Sequence, residues 1–119
     1  MAKRFTATEK WEDAWFGTLP MEYKLLWLYM LDTCNHAGIW EVNLRKAAFC
    51  TGCQYDEAEA LEVIGKKVRQ VGEDKWWIVN FIRHQYKCDI SELNPNNLAH
   101  KGVIAILKQH GIEAPTKPL

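Results

Sequence analysis

Val68-Arg69-Gln70-Val71-Gly72-Glu73-Asp74-Lys75-Trp76-Trp77-Ile78-Val79 reads as two short strands, 68–71 and 76–79, on either side of the turn-rich loop Gly72-Glu73-Asp74-Lys75. Upstream of this hairpin, Asp56 to Lys67 carries Ala58, Leu61, Val63 and Ile64 at helical spacing, with Val68 extending the same apolar set. Before that, Asn43 is placed to cap a helix from Leu44 to about Cys50, closed by Thr51-Gly52. Ile39-Trp40-Glu41-Val42 alternates like a short strand, and Asn35-His36-Ala37-Gly38 breaks the chain ahead of it. The preceding helix spans about Leu19 to Cys34. Thr18 supplies a capping hydroxyl, Pro20 sits in the first turn, and Glu22 lies near the positive end of the dipole.

The body of that helix is unusual. Tyr23, Leu26, Trp27, Met30 and Leu31 make one stripe, and Leu25, Leu28 and Tyr29 carry the apolar surface around the cylinder. Such a helix belongs at the centre of a core or in a partner interface. At the N-terminal end, Thr8 to Gly17 reads as a short helix with Trp11, Trp15 and Phe16 on it. Beyond the hairpin, Asn80 to Tyr86 reads as one or two helical turns and Cys88 to Asn96 as a linker. Asn97 to His110 is a last helix, ended by Gly111. Residues 1–112 are expected to form one domain and 113–119 a tail.

Helix, strand, helix, helix and hairpin, in that order, define a winged helix. The fold class expected is therefore α+β, mainly helical: a winged helix-turn-helix with additional N- and C-terminal helices. The sequence also resembles the winged-helix N-terminal domains of phage replisome organisers and DnaD-like primosomal proteins. The residues that carry the likeness are Trp11-Glu12-Asp13-Ala14-Trp15-Phe16, Lys24-Leu25-Leu26-Trp27-Leu28-Tyr29-Met30-Leu31-Asp32, Ala37-Gly38-Ile39-Trp40-Glu41-Val42-Asn43, and Asn94-Pro95-Asn96-Asn97 with Ala99-His100-Lys101. The likeness covers nearly the whole chain and implies binding to DNA or assembly of replication complexes. The chain stops near residue 119, without the second domain of longer members, so a complete initiator role is not expected of it.

Composition sets the outer limits. The chain has 119 residues, 15 Lys+Arg against 15 Asp+Glu, 48% hydrophobic and 25% charged residues. Those values exclude disorder, collagen-like sequence and a coiled-coil rod, and the length suffices for a core without disulfides or metal. The longest apolar run, Leu25 to Leu31, falls far short of the roughly 20 residues that cross a bilayer. The N-terminus leads into Glu9, Lys10 and Glu12 rather than a signal-peptide core. A cytoplasmic protein with reduced thiols and no membrane partner is expected.

Zero net charge conceals a polarised chain. Residues 9–62 carry four bases against ten acids, whereas residues 63–88 carry six bases against two acids. The segment Asp56-Glu57-Ala58-Glu59-Ala60-Leu61-Glu62, which in a winged helix would enter the major groove, has four acids and no base. Phosphates repel that face. The expected DNA contacts are instead Lys66, Lys67, Arg69, Lys75, Arg83 and Lys87, in and after the hairpin. Lys3, Arg4, Arg45 and Lys46 join them if the fold brings them together. The competing reading has these cations solvated and balancing nearby acids, as Glu62 with Lys66 would at four-residue spacing.

Catalytic and cofactor chemistry find no support. His36, His84, His100 and His110 are scattered, the glycines form no phosphate-binding loop, and no nucleophile stands near a base in a catalytic spacing. No enzyme activity, cofactor or small-molecule substrate is expected. Cys34, His36, Cys50 and Cys53 have the ligand types of a zinc site, but their gap matches no known finger. Of the adjacent Trp76 and Trp77, one must point inward. The other either faces outward beside Lys75, as a stacking platform for bases or a partner anchor, or packs beneath the terminal helices. The rival function is a protein-interaction or self-association module for replication-complex assembly without direct DNA binding.

Overall fold

The computed structural model describes residues 8–112. Among them are six α-helices, two short 3-10 turns and one three-stranded antiparallel sheet, an α+β arrangement. The helices are α1 (Ala14–Thr18), α2 (Met21–Thr33), α3 (Leu44–Thr51), α4 (Glu57–Ile64), α5 (Phe81–Tyr86) and α6 (Leu98–Gln109). The strands are β1 (Ile39–Glu41), β2 (Val68–Gly72) and β3 (Lys75–Ile78), in the spatial order β1-β3-β2.

Most ends follow local chemistry. Asn43 Oδ1 accepts from the Lys46 amide at the start of α3, and Gly52 closes it at φ 75°. Asp56 caps α4 through the Glu59 amide, and Asn97 caps α6 through the Ala99 and His100 amides. Three boundaries differ from the sequence reading. The expected helix 8–17 is split into a 3-10 turn, Thr8–Glu12, and α1, because Asp13 turns its carboxylate onto the Trp15 amide and starts a new helix there. Thr18 does not cap α2, since its hydroxyl donates to the Trp15 carbonyl and closes α1 instead. And α4 ends at Ile64, short of Lys67, because the chain turns at Gly65 to deliver Val68 to the sheet opposite Ile78.

The sheet is the partition of the molecule. β3 is its central strand, pairing Trp76 with Trp40 and Gln70, and Trp77 with Ile39 and Arg69. Adjacent residues on a strand face opposite ways. Trp76, Ile78, Trp40 and Val68 therefore face a first core built from α1 to α4 and Phe81 of α5, with Phe16, Tyr23, Leu26, Met30, Ala47, Ala60 and Ile64. Trp77 and Ile39 face a second core with Ile82, Leu93, Val103, Leu107 and Ile112. Both tryptophans are buried, Trp76 to 1% and Trp77 to 7% exposure. Polar atoms in these walls are satisfied: Trp77 Nε1 donates to the Ala37 carbonyl, Trp40 Nε1 to Thr33, and the Tyr86 hydroxyl to the His36 carbonyl. α6 thus covers the sheet face that would otherwise be open, so it completes the core of a single chain.

Candidate nucleic-acid interface

The six cations expected at the hairpin do not form one patch. The hairpin has a tip at Glu73-Asp74 and a base where Val68 faces Ile78. Its tip is acidic: Glu73 and Asp74 form the turn, and the Lys75 Nζ lies 3.7 Å from both Glu41 and Asp74 carboxylates. Glu41 reaches the tip because β1 runs beside β3 in a register that sets Glu41 opposite Lys75. Lys75 is therefore half-buried and neutralised. Arg83, on α5, is held by Asp89 through Nε at 2.8 Å and Nη2 at 2.6 Å. This fork serves the turn that follows α5.

The remaining cations gather at the base. Lys67 closes the turn after α4, donates its amide to the Ile64 carbonyl and accepts from the Val79 amide. Its Nζ lies 5.3 Å over the Trp15 ring, a cation-π contact, and the residue is half-buried. Lys66 precedes it and is exposed. Lys87, the residue after α5, is exposed at φ 58° and meets Lys67 and His84 around a groove of about 350 Å³. The floor of that groove is apolar, with Trp15, Trp27, Leu28, Leu31 and Phe81, and Trp15 stands edge-on to Trp27 at 5.0 Å. Glu9, Asp13 and Asp32 also line it, together with Lys10, and the Asp13 carboxylate is engaged in capping α1. Among the described residues no carboxylate pairs with Lys66, Lys67 or Lys87, so the Glu62–Lys66 pairing does not form. Arg69 points elsewhere: it lies over Trp77, 6.0 Å from the ring, on the α6 side of the sheet.

α4 presents Asp56, Glu57, Glu59 and Glu62 to solvent, as the charge reading anticipates. Two features escaped the sequence reading. One is the aromatic groove at the hairpin base, which needs α1, α2 and α5 to converge. The other is the exposed Phe49 on the outward side of α3, beside Arg45 and Lys46, which do not line the groove at the hairpin base. Lys3 and Arg4 lie outside the described residues. The cysteines lie at separate places in the fold. Cys34 is buried at the end of α2, and Cys50 and Cys53 flank the glycine that ends α3. Among the described residues no group of three or more His, Cys, Asp and Glu is placed to hold a metal. Likewise, no described helix is long and apolar enough to cross a membrane.

No protein-family model, curated protein or solved structure matches the chain.

Proposed function

We propose that this chain is a non-enzymatic, phage-type winged-helix protein of DNA replication that binds DNA weakly through the base of its hairpin. The observation that carries the DNA-binding part is the grouping of Lys67 and Lys87 with His84 around the groove at that base, with the exposed Lys66 next to Lys67 in sequence and, among the described residues, no carboxylate ion-paired with any of the three lysines, while Lys75 and Arg83 are neutralised. The element order and the strand order β1-β3-β2 support a winged helix. The resemblance to replisome organisers supports the replication context. An acidic α4 and an acidic hairpin tip keep phosphates away from the two surfaces such a fold ordinarily uses, and leave the hairpin base as the approach.

The test is an anisotropy titration with a labelled duplex. Three phosphate contacts give a log-log salt slope of about −2.7, so affinity falls about 40-fold between 50 and 200 mM salt. Replacing Lys66 and Lys67 by Ala flattens that slope to about −0.9. Absence of binding at 50 mM salt, or a slope unchanged in the double variant, contradicts the proposal.

A second reading has a specific observation behind it. Met21 and Leu98 are 76% and 86% exposed, and the acidic face of α4 is open, a combination suited to a protein partner or to self-association. Sedimentation that shows a concentration-independent monomer argues against the self-associating form.

A further inference from the structure

We propose that the outer face of α3 is a second contact, specific for single-stranded nucleic acid, in which Phe49 stacks on a base while Arg45 and Lys46 hold the adjoining phosphates. This rests on the nucleic-acid reading above and adds to it a surface and a strandedness.

α3 is anchored by its inner side, where Ala47 is fully buried against the first core, and Asn43 fixes its start through the Lys46 amide. Its outer side departs from what the fold alone favours in three ways. Arg45 and Lys46 occupy the first turn, at the positive end of the helix dipole, where cations are disfavoured and acids preferred. The first turn holds no acid, and among the described residues neither cation has an ion-pair partner. Glu41 and Asp74 share a shallow groove with Lys46, yet both carboxylates are directed to Lys75. Then, one turn beyond Arg45, Phe49 is 89% exposed, the highest exposure among the large hydrophobic residues described.

Residues that break local preferences together mark functional surfaces rather than packing. The chemistry that relieves all three departures at once is an anion carrying an aromatic face. Phosphate satisfies Arg45 and Lys46, and a base covers Phe49. Residues i and i+4 lie about 6 Å apart along the axis on the same face of a helix, so Arg45 and Phe49 can address neighbouring parts of one ligand. A paired base offers its face only to its stacked neighbours, so the geometry selects single strands or an unpaired base.

Anisotropy titrations of the full chain with a labelled oligothymidylate and with a duplex of equal length, at 50 mM salt, decide it. Phe49 is so exposed that Phe49→Ala leaves the thermal melt unchanged. That variant is expected to weaken single-strand binding about 10-fold and duplex binding less than 2-fold, and Phe49→Trp to restore the single-strand affinity. Replacing Arg45 and Lys46 by Ala is expected to reduce the single-strand salt slope by about 1.4. If duplex binding through Lys66 and Lys67 stands while Phe49→Ala leaves single-strand binding untouched, this proposal alone falls. If the wild-type chain binds neither probe, both it and its parent reading fall. A sedimentation dimer that Phe49→Ala dissociates without affecting DNA reassigns the patch to a second copy and also overturns it.

Discussion

Trp77 shows how one residue redirects the functional reading. As one of an adjacent tryptophan pair of which only one member must point inward, it was open to the role of an exposed stacking platform. Its ring instead seals the second core, and its indole nitrogen donates 3.1 Å to the Ala37 carbonyl. Trp77→Ala should therefore cost about 3–5 kcal/mol in a urea unfolding experiment, the range for a buried large aromatic. A cost near 0.5 kcal/mol, usual for surface positions, would show the ring to be exposed after all. Tyr55 gives a second residue-scale expectation. Its hydroxyl donates to the Glu22 carbonyl at 2.7 Å and pairs with the Thr51 hydroxyl at 3.0 Å, joining the approach to α4 to the start of α2. Burial pushes its phenol up to about 12. The native state thus favours the neutral phenol over the unfolded chain, whose tyrosines ionise near pH 10. The corresponding stability is complete below pH 10 and is lost as pH rises from about 10 to 12. The melting temperature of the wild type should fall more steeply over that interval than that of Tyr55→Phe, with the remaining decline owed to Tyr23 and Tyr29, also raised by burial. Parallel profiles would refute the assignment to Tyr55.

At the scale of elements, Gly38 ties the breaker before β1 to α5. It has φ 90°, its carbonyl accepts from the Ile78 amide, and an added Cβ would run into the Phe81 side chain. Gly38→Ala combines a strained backbone with a collision between the two cores, so a loss above about 2 kcal/mol is expected by thermal or urea unfolding. A melt within a degree of wild type would contradict the described packing of α5 on β1. The elements themselves were legible where local chemistry decides them: the Asn43 cap, the helix starts at Asp56 and Asn97, the Gly52 and Gly111 ends, and the hairpin all lie within two residues of where the sequence puts them. Boundaries that depend on choices between neighbours were not. The Thr18 hydroxyl stands between two helices and serves the one behind it, and α4 stops early because Val68 is claimed by a strand partner ten residues downstream. The fate of Trp77 required α6, some 25 residues further on, to be placed across the sheet.

For the whole molecule, the fold sorts the charges that the sequence only counts. A linear tally assigns a surplus of base to residues 63–88. In three dimensions that surplus divides into a neutralised, acidic hairpin tip, an Arg83–Asp89 fork, and a basic hairpin base beside an aromatic groove. The acidic α4 was readable from sequence because Asp56, Glu57, Glu59 and Glu62 fall close together along one helix and its cap, with no base among them. The neutralisation of Lys75 was not, because Glu41 arrives from a different strand. On this account the proposed winged-helix protein approaches duplex DNA by the hairpin base. Amide chemical-shift mapping of the isotopically labelled chain during titration with a short duplex tests this most directly. The account predicts shifts concentrated at residues 65–68 and 84–88, with 56–62 and 73–74 unmoved. Shifts confined to α4 or to the hairpin tip, or none at saturating duplex, would contradict it.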